Sequence, residues 1–254
     1  MNTLIMIWIM IIGAIMGSFL GCMGYRIPNK IKTTYPSSFC ASCKKPLKWY
    51  MNIPIISYLL LHGKCAYCKK KIGFIYFLCE ILGFCLFGLN YYLFGFTINF
   101  FISTILTCIL IVTIVSDFKY YYISDRVLII SYILLLIVKF IFMPYKDVLF
   151  DIGSSVFLFL IMIGIKIMGN NMFNRESLGD GDIKLMGVLA LSLGLINSFI
   201  ALFFASVLGL IFSLIFMKRV KDGLIPFGPF LIMGSLIVVY LSFYINPLVQ
   251  EYLF

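Results

Sequence analysis

Two acidic residues stand where a carboxylate is costly. Asp117 closes an apolar run in Val115-Ser116-Asp117-Phe118, and Asp182 opens another in Gly179-Asp180-Gly181-Asp182-Ile183-Lys184. Acids at membrane-type segments are functional-site candidates by default. Two carboxylates held close together cannot both ionise, so they share one proton. The ionised partner can then take a proton from water while the protonated one donates to a carbonyl or a leaving amine. Such a pair titrates as a unit, so neither residue is assigned as the acid. Gly179 and Gly181 suit this site, because glycine allows unusual backbone angles and close approach of a peptide. A simpler role competes for Asp182: it could cap the helix it opens. Asp117 follows a helix C-terminus, where negative charge opposes the dipole, so capping does not account for it. Asp125, after Ser124, reads as a helix-start residue, Asp180 as solvated, and Asp147 and Asp151 as interfacial.

Eight cysteines supply the second candidate. Cys40-Ala41-Ser42-Cys43 and Cys65-Ala66-Tyr67-Cys68 form two CxxC pairs. Two such pairs are the pattern of a tetrahedral four-thiolate zinc site, with no open position and hence a structural role. Thiol redox chemistry and free thiols are the alternatives. Four thiolates on Zn²⁺ leave a local charge of about −2, which Lys44, Lys45, Lys64 and Lys69 could offset. Cys22, Cys79, Cys85 and Cys108 read as packing residues, and His62 as a solvated loop residue.

The elements that must hold these groups are membrane helices. Of 254 residues, 63% are hydrophobic and 12% charged, against about 25% charged in soluble domains. Eight apolar segments are expected, at 3–24, 73–95, 98–116, 125–143, 148–168, 183–195, 196–217 and 228–247, with the sixth break near Gly194 to Ser198. The fold class is therefore an all-α polytopic membrane protein. Its expected parts are a first transmembrane helix (1–24), a basic cytoplasmic domain (25–73) carrying the zinc site, and a multi-helix membrane domain (74–254). The net charge of +10 reads through topology rather than nucleic acid. With both termini outside, eighteen of the twenty Lys and Arg fall on the cytoplasmic side, ten of them in 25–73, and only Lys139 and Lys146 lie outward. Arg175, Lys218, Arg219 and Lys221 belong to the cytoplasmic set. Loop 25–73 has no acid and would attract anionic lipid head groups, with direct contact to substrate as the alternative. Met1 to Trp8 has no basic residue, so no cleavable signal peptide is expected, and Phe19 to Cys22 is not read as a lipoprotein box. No internal repeat is read.

Taken in order, these motifs resemble the type IV prepilin peptidases, GxGD-type intramembrane aspartyl proteases. The resemblance rests on Gly17-Ser18-Phe19-Leu20 with Tyr25-Arg26-Ile27-Pro28, and on the CxxC pairs bracketing Ile53 to Leu59. It continues through Glu80, Asp117 to Asp125, Leu178 to Leu185, and Ile225 to Phe230. It implies cleavage of a basic leader from prepilins or pseudopilins after a glycine, at the cytoplasmic face of a bacterial inner membrane. Asp117 and Asp182 would be the catalytic pair. It also implies, for many members, N-methylation of the new N-terminus with S-adenosylmethionine, serving pili or secretion. Gly21, Ser124 and Ile75 to Phe77 depart from the family pattern, and they bear more on methyl transfer than on proteolysis. Arg26 and Glu80 are the candidate cofactor contacts, with structural pairing as the alternative. A peptidase without methyl transfer is the second reading. A transporter with a zinc-stabilised domain is the third, disfavoured by almost wholly apolar mid-segments.

Overall fold

The computed structural model describes residues 2–33, 37–173, 178–216 and 226–253. Arg175, Lys218, Arg219, Lys221, Ile225 and the expected end of the seventh segment at 217 lie outside the described residues. In chain order the helices are α1 (Thr3–Arg26), α2 (Ile56–Leu60), α3 (Phe74–Phe94), α4 (Ile98–Tyr120), α5 (Asp125–Phe142), α6 (Tyr145–Phe173), α7 (Asp180–Leu193), α8 (Leu195–Phe216) and α9 (Gly228–Leu253). A 3-10 turn covers Trp49–Asn52. The described residues contain no strand, only isolated bridges between Phe39 and Pro46 and between Lys64 and Lys71.

Among the described residues, five helices are long and apolar enough to cross a membrane: α1, α3, α4, α6 and α8. The other three expected segments form helices but fall short of that standard for visible reasons. Asp125, Arg126 and Lys139 all lie in the 18 residues of α5. α7 has only 14 residues, and the described apolar part of α9 is Gly228–Phe243. A typical span takes about 20 residues. The sixth break falls on one residue, Gly194, which adopts φ +76 between α7 and α8.

α4 is the hub. It packs against α1, α3, α5 and α9 and buries Leu106, Ile109, Leu110, Ile111 and Val115. α1 meets α3 backbone to backbone. A Cβ added at Gly13 would lie 2.3 Å from the Gly83 carbonyl oxygen, the close approach of small residues that drives helix association in lipid. α3, α4 and α9 also share a buried polar knot. The Tyr240 hydroxyl donates to Asn90 Oδ1 at 2.7 Å, and the Asn90 amide donates to Thr107 Oγ1 at 3.4 Å.

Two smaller expectations fail. Asp151 is buried rather than interfacial, because the short α5–α6 turn folds it back onto Lys139 as a buried ion pair. Cys85 is exposed on α3, unlike buried Cys79.

Candidate active site

α4 runs to Tyr120, so Asp117 lies within its last turn rather than beyond it. Tyr121 ends the helix in the left-handed region, at φ 49 and ψ 43, and its N–H donates to the Asp117 carbonyl at 3.0 Å. A carboxylate in a last turn faces the negative end of its own helix. Here it is met by another helix's opposite end: the Gly228 N–H, at the start of α9, donates to Asp117 Oδ2 at 3.1 Å. The first N–H groups of a helix lack intrahelical acceptors, so they suit an anion.

Asp182 is the third residue of α7, and the N-cap position is Gly179 with no side-chain cap bond. The capping role considered for Asp182 is therefore not what the structure contains. Its Oδ1 is instead buried with no hydrogen-bond partner. The Oγ atoms of Ser116 and Ser124 share that condition, and they adjoin Asp117 and Ile123 in the chain. Buried polar atoms without partners are rare and call for water or substrate.

Ile123 joins the two halves of the site. A Cβ on Gly181 would come within 2.8 Å of Ile123 Cβ, and one on Gly228 within 2.8 Å of Ile123 Cδ1. The α7 turn and the α9 start thus close on one side chain from the α4–α5 loop. The carboxylates are near enough for the charge of Asp117 to act on Asp182. The expected reason for the glycines changes. Gly179 has φ −70, and Gly181 is needed for space against Ile123 rather than for an unusual angle. Asp180 is exposed and pairs with Lys166 at 2.5 Å, and Asp125 pairs with Lys184 at 2.8 Å.

Cys40, Cys43, Cys65 and Cys68 come together with all four sulfurs within 4.8 Å of one another. Cys40 Sγ and Cys68 Sγ are 3.9 Å apart. A tetrahedral Zn–S length of about 2.3 Å requires sulfurs about 3.8 Å apart, so the residues fit zinc. Each pair is built the same way. The Lys44 N–H donates to the Cys40 carbonyl at 2.9 Å and the Lys69 N–H to the Cys65 carbonyl at 3.0 Å, with both lysines at positive φ. The expectation of no internal repeat is corrected locally: Cys-Ala-x-Cys-Lys-Lys occurs twice and folds twice into one turn. Burial alone would raise the Cys40 thiol, but N–H groups of Cys43 and Ser42 outweigh it and hold it at about 6.

Between this lobe and α1 and α3 lies a cavity of about 780 Å³. Arg26 and Glu80 both line it. Arg26 donates to the carbonyls of Thr33 at 3.0 Å and Ser37 at 3.2 Å, fastening the loop to α1. Glu80 Oε2 accepts the Ile55 N–H at 2.7 Å.

Residues 11–94 match the bacterial peptidase A24 N-terminal domain, and residues 104–214 match the type IV leader peptidase family. A protein of Bacillus subtilis (strain 168) named prepilin leader peptidase/N-methyltransferase is 31% identical, over 93% of this chain and 96% of its own length. The chain belongs to the type IV leader peptidase family. Proteins of the same name from Vibrio cholerae (30% identical; 91% of this chain, 94% of theirs) and Neisseria gonorrhoeae (29%; 90% and 87%) agree. No solved structure matches the chain. This type IV leader peptidase family member is a peptidase, and its apolar helices make it a multi-pass membrane protein. Sequence reasoning about it missed Gly228 and Ile123 as parts of the site. The Pro-Phe-Gly-Pro run at 226–229 was a visible signal for the first, and nothing in the sequence marks the second.

Proposed function

We propose that this chain removes the basic leader from type IV prepilins or pseudopilins, after a glycine, at the cytoplasmic face of a bacterial inner membrane. Asp117 and Asp182 are the catalytic pair. The observation that carries the reading is two carboxylates from distant helix ends meeting across Ile123, one bound by an N–H of α9 and the other holding a buried oxygen without a partner. The Gly228 N–H fixes the orientation of the Asp117 carboxylate. The pair shares one proton, so the ionised member deprotonates water for attack on the scissile carbonyl and the protonated member donates to it. The proton taken from water then passes to the leaving amine, and collapse of the gem-diol returns the other proton to the pair.

In this reading α1 is the first transmembrane helix and α3 to α9 form the membrane domain over 74–254, with both termini outside and the lysine-rich lobe in the cytoplasm. Residues 25–73 form the zinc-stabilised domain, in which Cys40, Cys43, Cys65 and Cys68 would hold the ion. The enzyme also N-methylates the new terminus. S-adenosylmethionine, when bound, supplies a methyl group activated on a sulfonium. A large, mainly apolar cavity beside the lobe, with Arg26, Glu80, Lys70 and Lys71 on its walls, favours this reading over a peptidase alone. Nothing favours a transporter: the one buried charge in α5 is neutralised by Asp151. Co-expression of Asp117→Asn or Asp182→Asn with a prepilin tests the pair by gel shift. Leader retention with normal membrane insertion is expected, and normal cleavage by either variant refutes it.

A further inference from the structure

The 780 Å³ cavity lies within the usual size of small-molecule sites. It is walled by α1, α3, the Ile53–Tyr58 stretch and the two cysteine turns. Glu80 is the sole acid among its lining residues, and Arg26, Lys70 and Lys71 contribute cations, Arg26 being turned onto the carbonyls of Thr33 and Ser37. The carboxylate is held in place: the Ile55 N–H donates to it at 2.7 Å, and the Ser18 hydroxyl bonds to it. Ile55 makes its bond from φ +64, a region a β-branched residue rarely enters. Strained backbone of this kind persists where surrounding structure enforces it, and it clusters at ligand clamps. Beside Glu80, the rings of Tyr58 and Phe77 stack with centroids 4.4 Å apart and planes within 13°. Both rings line the cavity.

The cavity also adjoins the peptidase turn. Tyr76 lines it, and Lys119 Nζ donates to the Tyr76 hydroxyl at 3.3 Å while lying 4.6 Å from its ring. Lys119 and Asp117 share the last turn of α4 but are two residues, about 200°, apart around the helix.

We infer that this cavity binds the methyl donor: a nucleoside sulfonium with an amino-acid tail. The Tyr58–Phe77 pair takes the flat base, and Glu80 supplies the countercharge for the sulfonium. A lone carboxylate beside an aromatic wall suits a cation joined to a planar ring. Lys70 and Lys71 suit the tail carboxylate. The inference rests on the methyl-transfer reading and names the residues of that site.

Equilibrium binding to purified full-length protein in nanodiscs tests it, with radiolabelled S-adenosylmethionine and its neutral thioether product, S-adenosylhomocysteine, as probes. Bound zinc and elution profile report that each variant is folded. Glu80→Gln is expected to weaken the sulfonium about tenfold or more, the scale of losing one opposing charge, and the thioether several-fold less. Ala41→Trp, which fills the cavity from the exposed rim, is expected to abolish binding of both. Equal weakening of both probes by Glu80→Gln overturns the sulfonium role. Unchanged binding by Ala41→Trp overturns the cavity as the site. Failure of the wild type to bind either probe instead refutes methyl transfer itself.

Discussion

The membrane helices and the cysteine lobe build their sites by different physics. The Asp117–Asp182 site is made by helix packing. Asp117 belongs to α4, Asp182 to α7 and the Gly228 donor to α9, and Ile123 keys them together. Among its described residues the lobe buries only Cys65 of its apolar side chains, and four sulfurs gathered within 4.8 Å take the place of a core. A metal that binds the folded form alone adds its binding free energy to folding. The two sites should therefore fail separately. Lesions in the helix ends should stop proteolysis, and lesions in the lobe should empty the cavity.

The largest separation is expected from the dyad. Asp117→Asn or Asp182→Asn should lower the leader-cleavage rate by about 10²–10⁴-fold, the usual contribution of positioned acid–base groups. The double variant should be little worse than either single one, because the pair acts as a unit. Donor binding should persist in both, read by the nanodisc assay. Gly228→Ala comes next. Its new methyl would meet Ile123 Cδ1 at 2.8 Å and Asp117 Oδ2 at 3.1 Å. Displacement on that scale costs about 10²-fold in rate, so single-turnover cleavage should fall by that factor with the zinc content unchanged. Chelation of the metal reverses the pattern: donor affinity should drop about tenfold or more as the cavity loses a wall. Cleavage of a prepilin in the same preparation should fall much less. Equal loss of both activities would break the contrast between the regions. Tyr240→Phe gives the smallest effect. It removes one buried hydrogen bond between α3 and α9, and thermal unfolding in detergent should report a loss of about 1 kcal/mol.

Asp117 and Asp182 were legible as candidates because charge is rare in this chain and two acids fall at segment ends. The four cysteines were legible by spacing. The repeated Cys-Ala-x-Cys-Lys-Lys was also present to be seen, and its meaning, two copies of one turn, lies in the positive φ of Lys44 and Lys69. Other features have no local signal. Gly228 and Asp117 are 111 residues apart, and the donor is a backbone N–H that any residue but proline could supply. The cavity draws on α1, α3 and three loop stretches, none of them distinctive alone. Asp151 was read as interfacial and Lys139 only as lying toward the outside; the tight turn at Met143 and Pro144 that brings them together as a buried pair has no signal in either segment alone.

The brevity of α7 has a consequence for how its acid meets water. Fourteen residues rise about 21 Å, whereas the hydrocarbon layer is about 30 Å thick. From Leu185 to Ser192 the helix is buried among its neighbours, so protein rather than lipid makes up the shortfall. A short helix inside a taller bundle leaves a recess at its end, and a recess lined by protein can hold water at membrane depth. Cleavage should therefore vary little between vesicles of short-chain and long-chain lipid with equal head group.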